Sequence, residues 1–322
     1  MRNTAVLSVL LIGYILDLLI GDPENLWHPV RGVGWWISTW ERILRKHLPA
    51  TRRGERVGGC LLVLLVLLCS LLPAMAVLSL AYRLHFFAGL AVESILCAQM
   101  LASKSLRDES MRVARALEDG LPAGRQAVSR IVGRDTRNLD EAGVIRAAVE
   151  TVAENTSDGV IAPMLFIALG GGLGGLFYKT VNTMDSMVGY RNAQYRYFGT
   201  AAARLDDLCN FIPARVSALL MIAASAILHM DAENAVRIFQ RDRLAHASPN
   251  SAQTEAVMAG ALDVQLAGDA SYFGELHHKP TIGDPIRPVE RADIARANRL
   301  MYLTGFLGVL LCAGCRLLAV IL

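Results

Sequence analysis

Two polar stretches of the chain, at 152–163 and 178–191, flank an apolar segment rich in glycine. Mg²⁺ is usually held by one or two carboxylates together with substrate phosphates, and cationic side chains bind phosphate. These residue types predict a site for a phosphate compound with Mg²⁺. Asp158 and Asp185 are the candidate metal ligands. The candidate substrate or phosphate ligands are Asn155, Lys179, Asn182, Tyr190 and Arg191. Helix capping would also explain Asn155, and extension of Lys179 toward the membrane surface would also explain that lysine.

A third cluster lies in the loop IGDPENLWHPVRGVG at 20–34. Two prolines stiffen this loop, because each fixes its own φ and restricts the residue before it. Asp22, His28 and Arg31 on such a loop suit metal or phosphate binding, with Asp22 as the metal ligand. An interfacial turn anchored by its tryptophans explains the same stretch equally well.

A fourth cluster combines RLDDLCN at 204–210 with a stretch at 241–268. Asp206 and Asp207 are candidate Mg²⁺ ligands. A Ser-Pro-Asn turn opens a helix of small residues and is a suitable anion platform. The candidate ligands around and beyond this turn are His246, Asn250, Glu255 and Lys279. No phosphate-binding P-loop, Ser-His-Asp triad or zinc signature is present.

The composition indicates a membrane protein, because 53% of residues are hydrophobic and only 19% are charged. Soluble domains are typically about 45–50% apolar and about 25% charged. Six membrane segments are predicted, the first being a retained helix: 4–20, 57–82, 85–101, 159–178, 212–230 and 301–322. The segment at 159–178 is expected to be broken or re-entrant because of its glycines. A net charge of +3 gives no reason to expect a nucleic-acid partner.

The predicted fold class is an all-α, polytopic integral membrane protein of about four to six segments with helical loops, forming one domain over 1–322. The 231–300 segment is expected to form short helices followed by a proline-rich loop, HHKPTIGDPIRP. Lysine and arginine placement favours a cytoplasmic position for the 21–56 and 102–158 loops. The side of the 179–211 loop stays open.

The ordered set of motifs resembles the adenosylcobinamide-phosphate synthases, the CobD/CbiB family of cobalamin-biosynthesis membrane proteins. The resemblance covers roughly 15–300. It rests on DLLIGDPENLWHPVRGVG, AVETVAENTSDGVIAPMLF, YKTVNTMDSMVGYRN, ARLDDLCNFIPAR, ASPNSAQTEAVMAGALDVQLAG and KPTIGDP.

The resemblance implies a multi-pass enzyme of the bacterial inner membrane. Such enzymes use ATP to join adenosylcobyric acid to (R)-1-aminopropan-2-ol or its O-phosphate, and other late corrin-pathway membrane enzymes are possible partners. Mg²⁺ would offset charge on the transferring phosphoryl group. In this interpretation Asp185 assists catalysis as a metal ligand, and Glu154 or His28 is the base that deprotonates the amine.

Two other classes of protein remain as alternatives. An AmpE-type membrane sensory protein without ligase activity is the nearest, although the full ordered polar set is not expected there. A transporter would explain Asp17, Glu93 and the glycine-rich helix. The chain shows no clear inverted repeat, however, and much of it lies outside strong membrane segments.

Overall fold

The structure is a computed structural model that describes residues 2–23, 27–190, 192–272 and 274–321. It is 74% helical with almost no sheet. The helices are α1 Arg2–Leu19, α2 Pro29–His47, α3 Arg52–Leu84, α4 Phe86–Met100, α5 Ser103–Ala116, α6 Leu121–Val128, α7 Glu141–Asn155, α8 Ala162–Val188, α9 Thr200–Ile227, α10 Ala232–Asp242, α11 Ser251–Leu262 and α12 Ala292–Ile321. A π-helical turn, Thr156–Ile161, joins α7 to α8.

Five helical stretches are long and apolar enough to cross a membrane. They are Arg52–Leu84, Phe86–Ala116, Glu141–Val188, Thr200–Ile227 and Ala292–Leu318, and Ala5–Leu19 is a shorter apolar helix. The predicted all-α, multi-pass fold class is therefore confirmed.

Contacts between Cα atoms divide the chain into two compact units that interleave in sequence. Unit 1 contains 1–102, 162–210 and 311–322, and unit 2 contains 103–161 and 211–310. The prediction of one synthase domain is not tested by this division. Each unit carries some of the predicted site residues and is described separately.

The core of unit 1 is built by α2, α3, α8 and the start of α9. Ile37, Leu62, Val181 and Phe198 are buried together there. Gly59 allows the backbone of Phe198 to approach α3 closely, since a Cβ at Gly59 would collide with the Phe198 carbonyl oxygen. The loop before α9 is therefore held against the beginning of α3.

The predicted break in the glycine-rich segment is confirmed at Gly171, which has φ 63° and ψ −153°. Both sides of the break keep hydrogen-bond partners within unit 1. The Gly172 N–H donates to Glu93 Oε1 at 2.9 Å. Arg316 donates to the carbonyl oxygens of Ala168 and Leu169. These contacts supply hydrogen bonds to backbone N–H and C=O groups beside the break, which lipid tails could not provide.

Unit 2 contains four short strands in addition to its helices. They are β1 Leu266–Ala267, β2 Ala270–Tyr272, β3 Glu275–His277 and β4 Thr281–Ile282, and β1 pairs with β4 while β2 pairs with β3, both antiparallel. The prediction of a loop over HHKPTIGDPIRP (277–288) was therefore wrong at His277 and at Thr281–Ile282. Strands of two or three residues are too short to show the alternation that identifies a strand in a sequence.

Candidate functional site

One face of α7 lines a polar cavity of about 160 Å³ in unit 2. The helix begins at its N-cap Asp140, whose side chain accepts a hydrogen bond from the Gly143 N–H. Glu150 and Glu154 are four residues apart and therefore lie on the same face. The charged, polar and aromatic residues around the cavity are Arg134, Glu150, Thr151, Glu154, Asn155, His246, Glu255, Tyr272 and Lys279.

Cationic and hydroxyl groups face the carboxylates of this cavity. Arg134 pairs with Glu150 at 2.8 Å, while its Nε is buried without a hydrogen-bond partner. Ser251 Oγ donates to Glu154 Oε1 at 3.1 Å. The site therefore offers a carboxylate and an unused guanidinium donor within one small volume.

Lys279 is, with Arg134, a cationic residue of the cavity wall. Its Nζ donates to the Tyr272 hydroxyl at 2.7 Å and lies 4.7 Å from the centre of that ring. Its hydrogen-bond partner is therefore a neutral hydroxyl rather than a carboxylate.

Burial raises the pKa of Glu255 well above its ordinary value of 4.5, and the charges of Glu154 and Glu150 raise it further. Its protonated form is therefore favoured to a higher pH than that of an exposed glutamic acid. Burial lowers the pKa of His246, with Glu154 opposing this shift and Lys279 adding to it. His246 Nδ1 accepts from the Ser248 N–H at 3.1 Å, so a neutral ring carries its proton on Nε2. Both groups can donate a hydrogen bond to a ligand.

A second polar cluster lies in unit 1, where α8 faces α9. The Tyr178 hydroxyl donates to Asn210 Oδ1 at 2.8 Å, and Asn210 Nδ2 donates to Asp206 Oδ2 at 3.0 Å. Asn182 and Asp185 also face Asp206, and the Asp185 charge repels that of Asp206. Tyr178, Asn182 and Asp185 follow one another at helical spacings of four and three residues, which places them on one face of α8.

This second cluster fits Mg²⁺ bound jointly by protein and phosphate. Asp206 is 8% exposed and its Oδ1 is buried without a hydrogen-bond partner, while Asp185 supplies a second negative charge. Within the described ranges, no group of three or more His, Cys, Asp or Glu side chains is arranged to hold a metal. A cation here would accordingly need oxygen ligands from a substrate, as Mg²⁺ usually does.

Gly189 contributes to the position of Asp185. The Gly189 N–H donates to the Asp185 carbonyl oxygen at 2.7 Å. A Cβ at Gly189 would collide with the Asp185 carboxylate. The Asp185 side chain therefore occupies space that is open only because residue 189 is glycine.

His28 caps α2 and faces Asp22. Its Nδ1 accepts from the Val30 N–H at 3.2 Å, and its Nε2 lies 3.4 Å from Asp22 Oδ1. A base role for His28 would therefore require Nε2, the nitrogen that faces the carboxylate. Arg31 is exposed on α2, three residues beyond the cap.

The remaining predicted residues are placed as follows. Tyr190 is 43% exposed with its ring 6.4 Å from that of Tyr195. Asn250 precedes α11 without capping it, and its side-chain oxygen instead accepts a hydrogen bond from Arg215 at 3.3 Å.

Asp158 lies in the π-helical turn. Lys179 and Asp207 are half-buried on α8 and α9. Arg191 lies outside the described residues.

The structure therefore groups the predicted residues into two sets. Glu154, Asn155, His246, Glu255 and Lys279 line one cavity in unit 2. Asn182, Asp185 and Asp206 form a cluster in unit 1. Asn250 and Asp158 belong to unit 2 but are not among the residues that line the cavity.

Sequence reasoning missed several members of these sites: Arg134, Glu150, Tyr178, Asn210 and Tyr272. The spacing of Glu150 and Glu154 on one helix was a usable signal, as was that of Asp206 and Asn210. Arg134 and Tyr272 lie in stretches whose own sequence carries no motif that marks them.

Five helices long and apolar enough to span a membrane, together with two polar clusters, define the class of a multi-pass membrane protein. The family described as CobD/Cbib protein matches residues 10–301. The chain belongs to the CobD/CbiB family, as its motifs predict.

Curated relatives agree over nearly the whole length. The chain is 49% identical to the cobalamin biosynthesis protein CobD of Geobacter metallireducens, with 95% of each chain covered. It is 42% identical to the CobD protein of Clostridium perfringens, covering 93% of this chain and 95% of the relative. It is 44% identical to the cobalamin biosynthesis protein CbiB of Salmonella choleraesuis, covering 93% and 94%. No solved structure matches the chain. These relatives support a role in cobalamin biosynthesis.

Proposed function

We propose that the chain is an ATP-dependent ligase of cobalamin biosynthesis. It would join adenosylcobyric acid to (R)-1-aminopropan-2-ol or its O-phosphate through an amide bond. A carboxylate is a poor electrophile, so it must first be activated. In the proposed reaction a carboxylate oxygen attacks the γ-phosphorus of ATP and ADP leaves. The amine then attacks the acyl carbon, and inorganic phosphate leaves.

The observation that carries the proposal is the cavity of unit 2. Its volume of about 160 Å³ suits a small molecule, and its wall combines carboxylates with two cationic groups. An amino alcohol phosphate carries the complementary charges, an ammonium at one end and a phosphate at the other. The buried, unpartnered Nε of Arg134 and the Nζ of Lys279 are donors for that phosphate.

Glu154 is the residue best suited to act as the base. An ammonium group cannot attack a carbonyl carbon until it loses a proton, and a carboxylate at hydrogen-bond distance can accept it. Glu154 is held by Ser251, whereas Glu150 is already engaged by Arg134 and by the Ala267 N–H. Glu255 in its protonated form and His246 through its Nε2 would donate hydrogen bonds to the amino alcohol.

The cluster of unit 1 is the proposed nucleotide site. Asp185 and Asp206 would hold Mg²⁺, and the ion would offset charge on the transferring phosphoryl group. Lys179 and Arg31 are the proposed phosphate ligands among the described residues. This assignment is supported by the buried, unpartnered Oδ1 of Asp206.

The test uses the full chain in membranes, incubated with adenosylcobyric acid, Mg-ATP and either aminopropanol or its phosphate. Mass spectrometry should detect the amide-linked corrinoid only when ATP is present. Comparison of the two amines identifies the nucleophile. Well-inserted protein that yields no product with either amine would contradict the proposal and favour a sensory protein without ligase activity.

A further inference from the structure

Three arginines converge on one tyrosine ring at the beginning of α3 in unit 1. The guanidinium carbons of Arg52, Arg56 and Arg196 lie 5.4, 5.7 and 5.7 Å from the centre of the Tyr197 ring. All three arginines are exposed. We call Arg52, Arg56, Arg196 and Tyr197 the arginine cluster.

The fold assembles this cluster from two separate segments. Gly58 and Gly59 of α3 permit the close approach of Phe198, so the residues beside Phe198 are fixed next to the first turns of α3. Arg45 of α2 lies 4.3 Å above the Phe198 ring and donates to the Gln194 carbonyl oxygen at 2.9 Å. The cluster is thus supported by buried contacts rather than formed by loose surface side chains.

The cluster carries three positive charges on its arginine side chains. In the described part of the chain, none of its three guanidiniums forms an ion pair. Two of them also lie in the first turns of α3, where the helix dipole disfavours cations. Glu55 is the acidic residue of that first turn, and Glu41 nearby is engaged by Arg45 at 2.9 Å. A bound anion would offset the repulsion among the three guanidinium groups and their unfavourable interaction with the helix dipole.

An exposed apolar stripe continues from the cluster along α3. Val57, Leu61, Leu64 and Leu68 are 51, 36, 52 and 42% exposed and follow one another at helical spacing. They belong to a helix that is long and apolar enough to span a membrane. A free phosphate or nucleotide would use the arginines alone. A phospholipid would use both features, with its phosphate on the arginines and an acyl chain on the stripe.

We propose that the arginine cluster and the adjoining stripe of α3 bind an anionic phospholipid. Basic residues that directly flank a membrane helix attract anionic headgroups, with about 1 kcal/mol for each residue. Arginine suits this role because its planar fork can bind a phosphate through two hydrogen bonds. The cluster contains none of the residues proposed for ligation, and its occupancy can be measured without any enzymatic assay.

The test is competition between phosphatidylglycerol and phosphatidylcholine for the full-length protein in mild detergent, followed by native mass spectrometry. Wild-type protein should retain phosphatidylglycerol preferentially, and added salt should weaken this preference. In the variant R52Q/R56Q/R196Q the preference for phosphatidylglycerol should fall by at least about tenfold. This is less than three basic residues would contribute at about 1 kcal/mol each. The lysine variant R52K/R56K/R196K should keep part of it, because charge remains while the bidentate geometry is lost.

The matched control is R115Q/R137Q/R243Q, which removes the same charge from exposed arginines of unit 2. Its preference for phosphatidylglycerol should equal that of the wild type. If the triple glutamine variant fails to insert, Tyr197→Leu provides the second test, with an expected loss of about threefold from the missing ring contacts.

Three results would overturn the proposal. The first is equal retention by wild type and by the variants of the cluster, and the second is equal loss in the control. The third is displacement of phosphatidylglycerol by inorganic phosphate or glycerol phosphate at concentrations similar to that of the lipid. That result would show that the apolar stripe plays no part and that the arginines bind free phosphate.

Discussion

Glu93 Oε1 accepts a hydrogen bond from the Gly172 N–H at 2.9 Å, directly after the break in α8. The Tyr82 hydroxyl donates to the other oxygen, Glu93 Oε2, at 2.5 Å. The carboxylate thus faces the positive end of the second half of α8, where the helix dipole favours a negative charge. This half carries Lys179, Asn182 and Asp185.

Removal of the Glu93 carboxylate should destabilise the protein. Glu93→Ala leaves the Gly172 N–H without its acceptor, which should cost about 1–3 kcal/mol of folding free energy. Glu93→Gln keeps an acceptor and should lose less. Thermal unfolding in detergent of both variants, with the exposed Glu290→Gln as control, measures the difference. Equal melting temperatures for Glu93→Ala and wild type would exclude the capping role.

Glu255 should make the protein less stable as pH rises. Its pKa is raised in the folded state, so between 4.5 and that raised value the folded state holds a proton that the unfolded state has released. The stabilisation from this proton is complete below 4.5 and is lost as pH rises through the folded pKa. Glu255→Gln stays neutral and should show a flatter decline in stability as pH rises above 4.5. An unchanged slope in that variant would contradict the burial of a protonated Glu255.

Substitutions in the cavity of unit 2 should separate proton transfer from phosphate binding. Glu154→Gln should lower kcat by about 100-fold, since it removes the proposed base. Lys279→Gln should raise KM for aminopropanol phosphate by about tenfold, the cost of a hydrogen bond to a charged group, and leave KM for aminopropanol nearly unchanged. Steady-state kinetics with both amines measures these effects. Arg137→Gln, an exposed arginine of unit 2, is the control. Equal effects of Lys279→Gln on the two amines would remove its phosphate role.

Adjacent carboxylates on α9 should differ in their effect on Mg-ATP. Asp206→Asn removes the buried carboxylate and should raise the Mg²⁺ concentration for half-maximal activity by about tenfold or more. Asp185→Asn should act in the same direction. Asp207→Asn should have a smaller effect, because Asp207 is only half-buried. Magnesium titrations of all three variants provide the measurement. A full-activity Asp185→Ala enzyme would remove that residue from the proposed metal site.

The sequence predicted the helices and offered candidate site residues because both leave local signals. Long apolar runs identify the membrane helices, and polar residues beside them are conspicuous. The convergence of His246 and Glu255 on Glu154 was not predictable, since it depends on packing of α11 against α7. Arg134 reaches Glu150 from a loop whose own sequence carries no signal.

The break at Gly171 illustrates the same limit. Glycine content predicted a break somewhere in the segment, but several glycines are adjacent there. Contacts of the neighbouring carbonyl and amide groups with Arg316 and Glu93 accompany the break at Gly171. Those partners are far away in sequence, so the position of the break depends on tertiary structure.

The measurement that tests the central claim most directly follows oxygen through the ligation. Adenosylcobyric acid labelled with ¹⁸O in its reactive carboxylate is incubated with the full chain, Mg-ATP and the preferred amine. Activation as an acyl phosphate predicts one ¹⁸O in the released inorganic phosphate for each amide formed, with ADP unlabelled. Label in AMP would mean an acyl adenylate instead, and amide formation without ATP, or no amide at all, would contradict the proposed ligase.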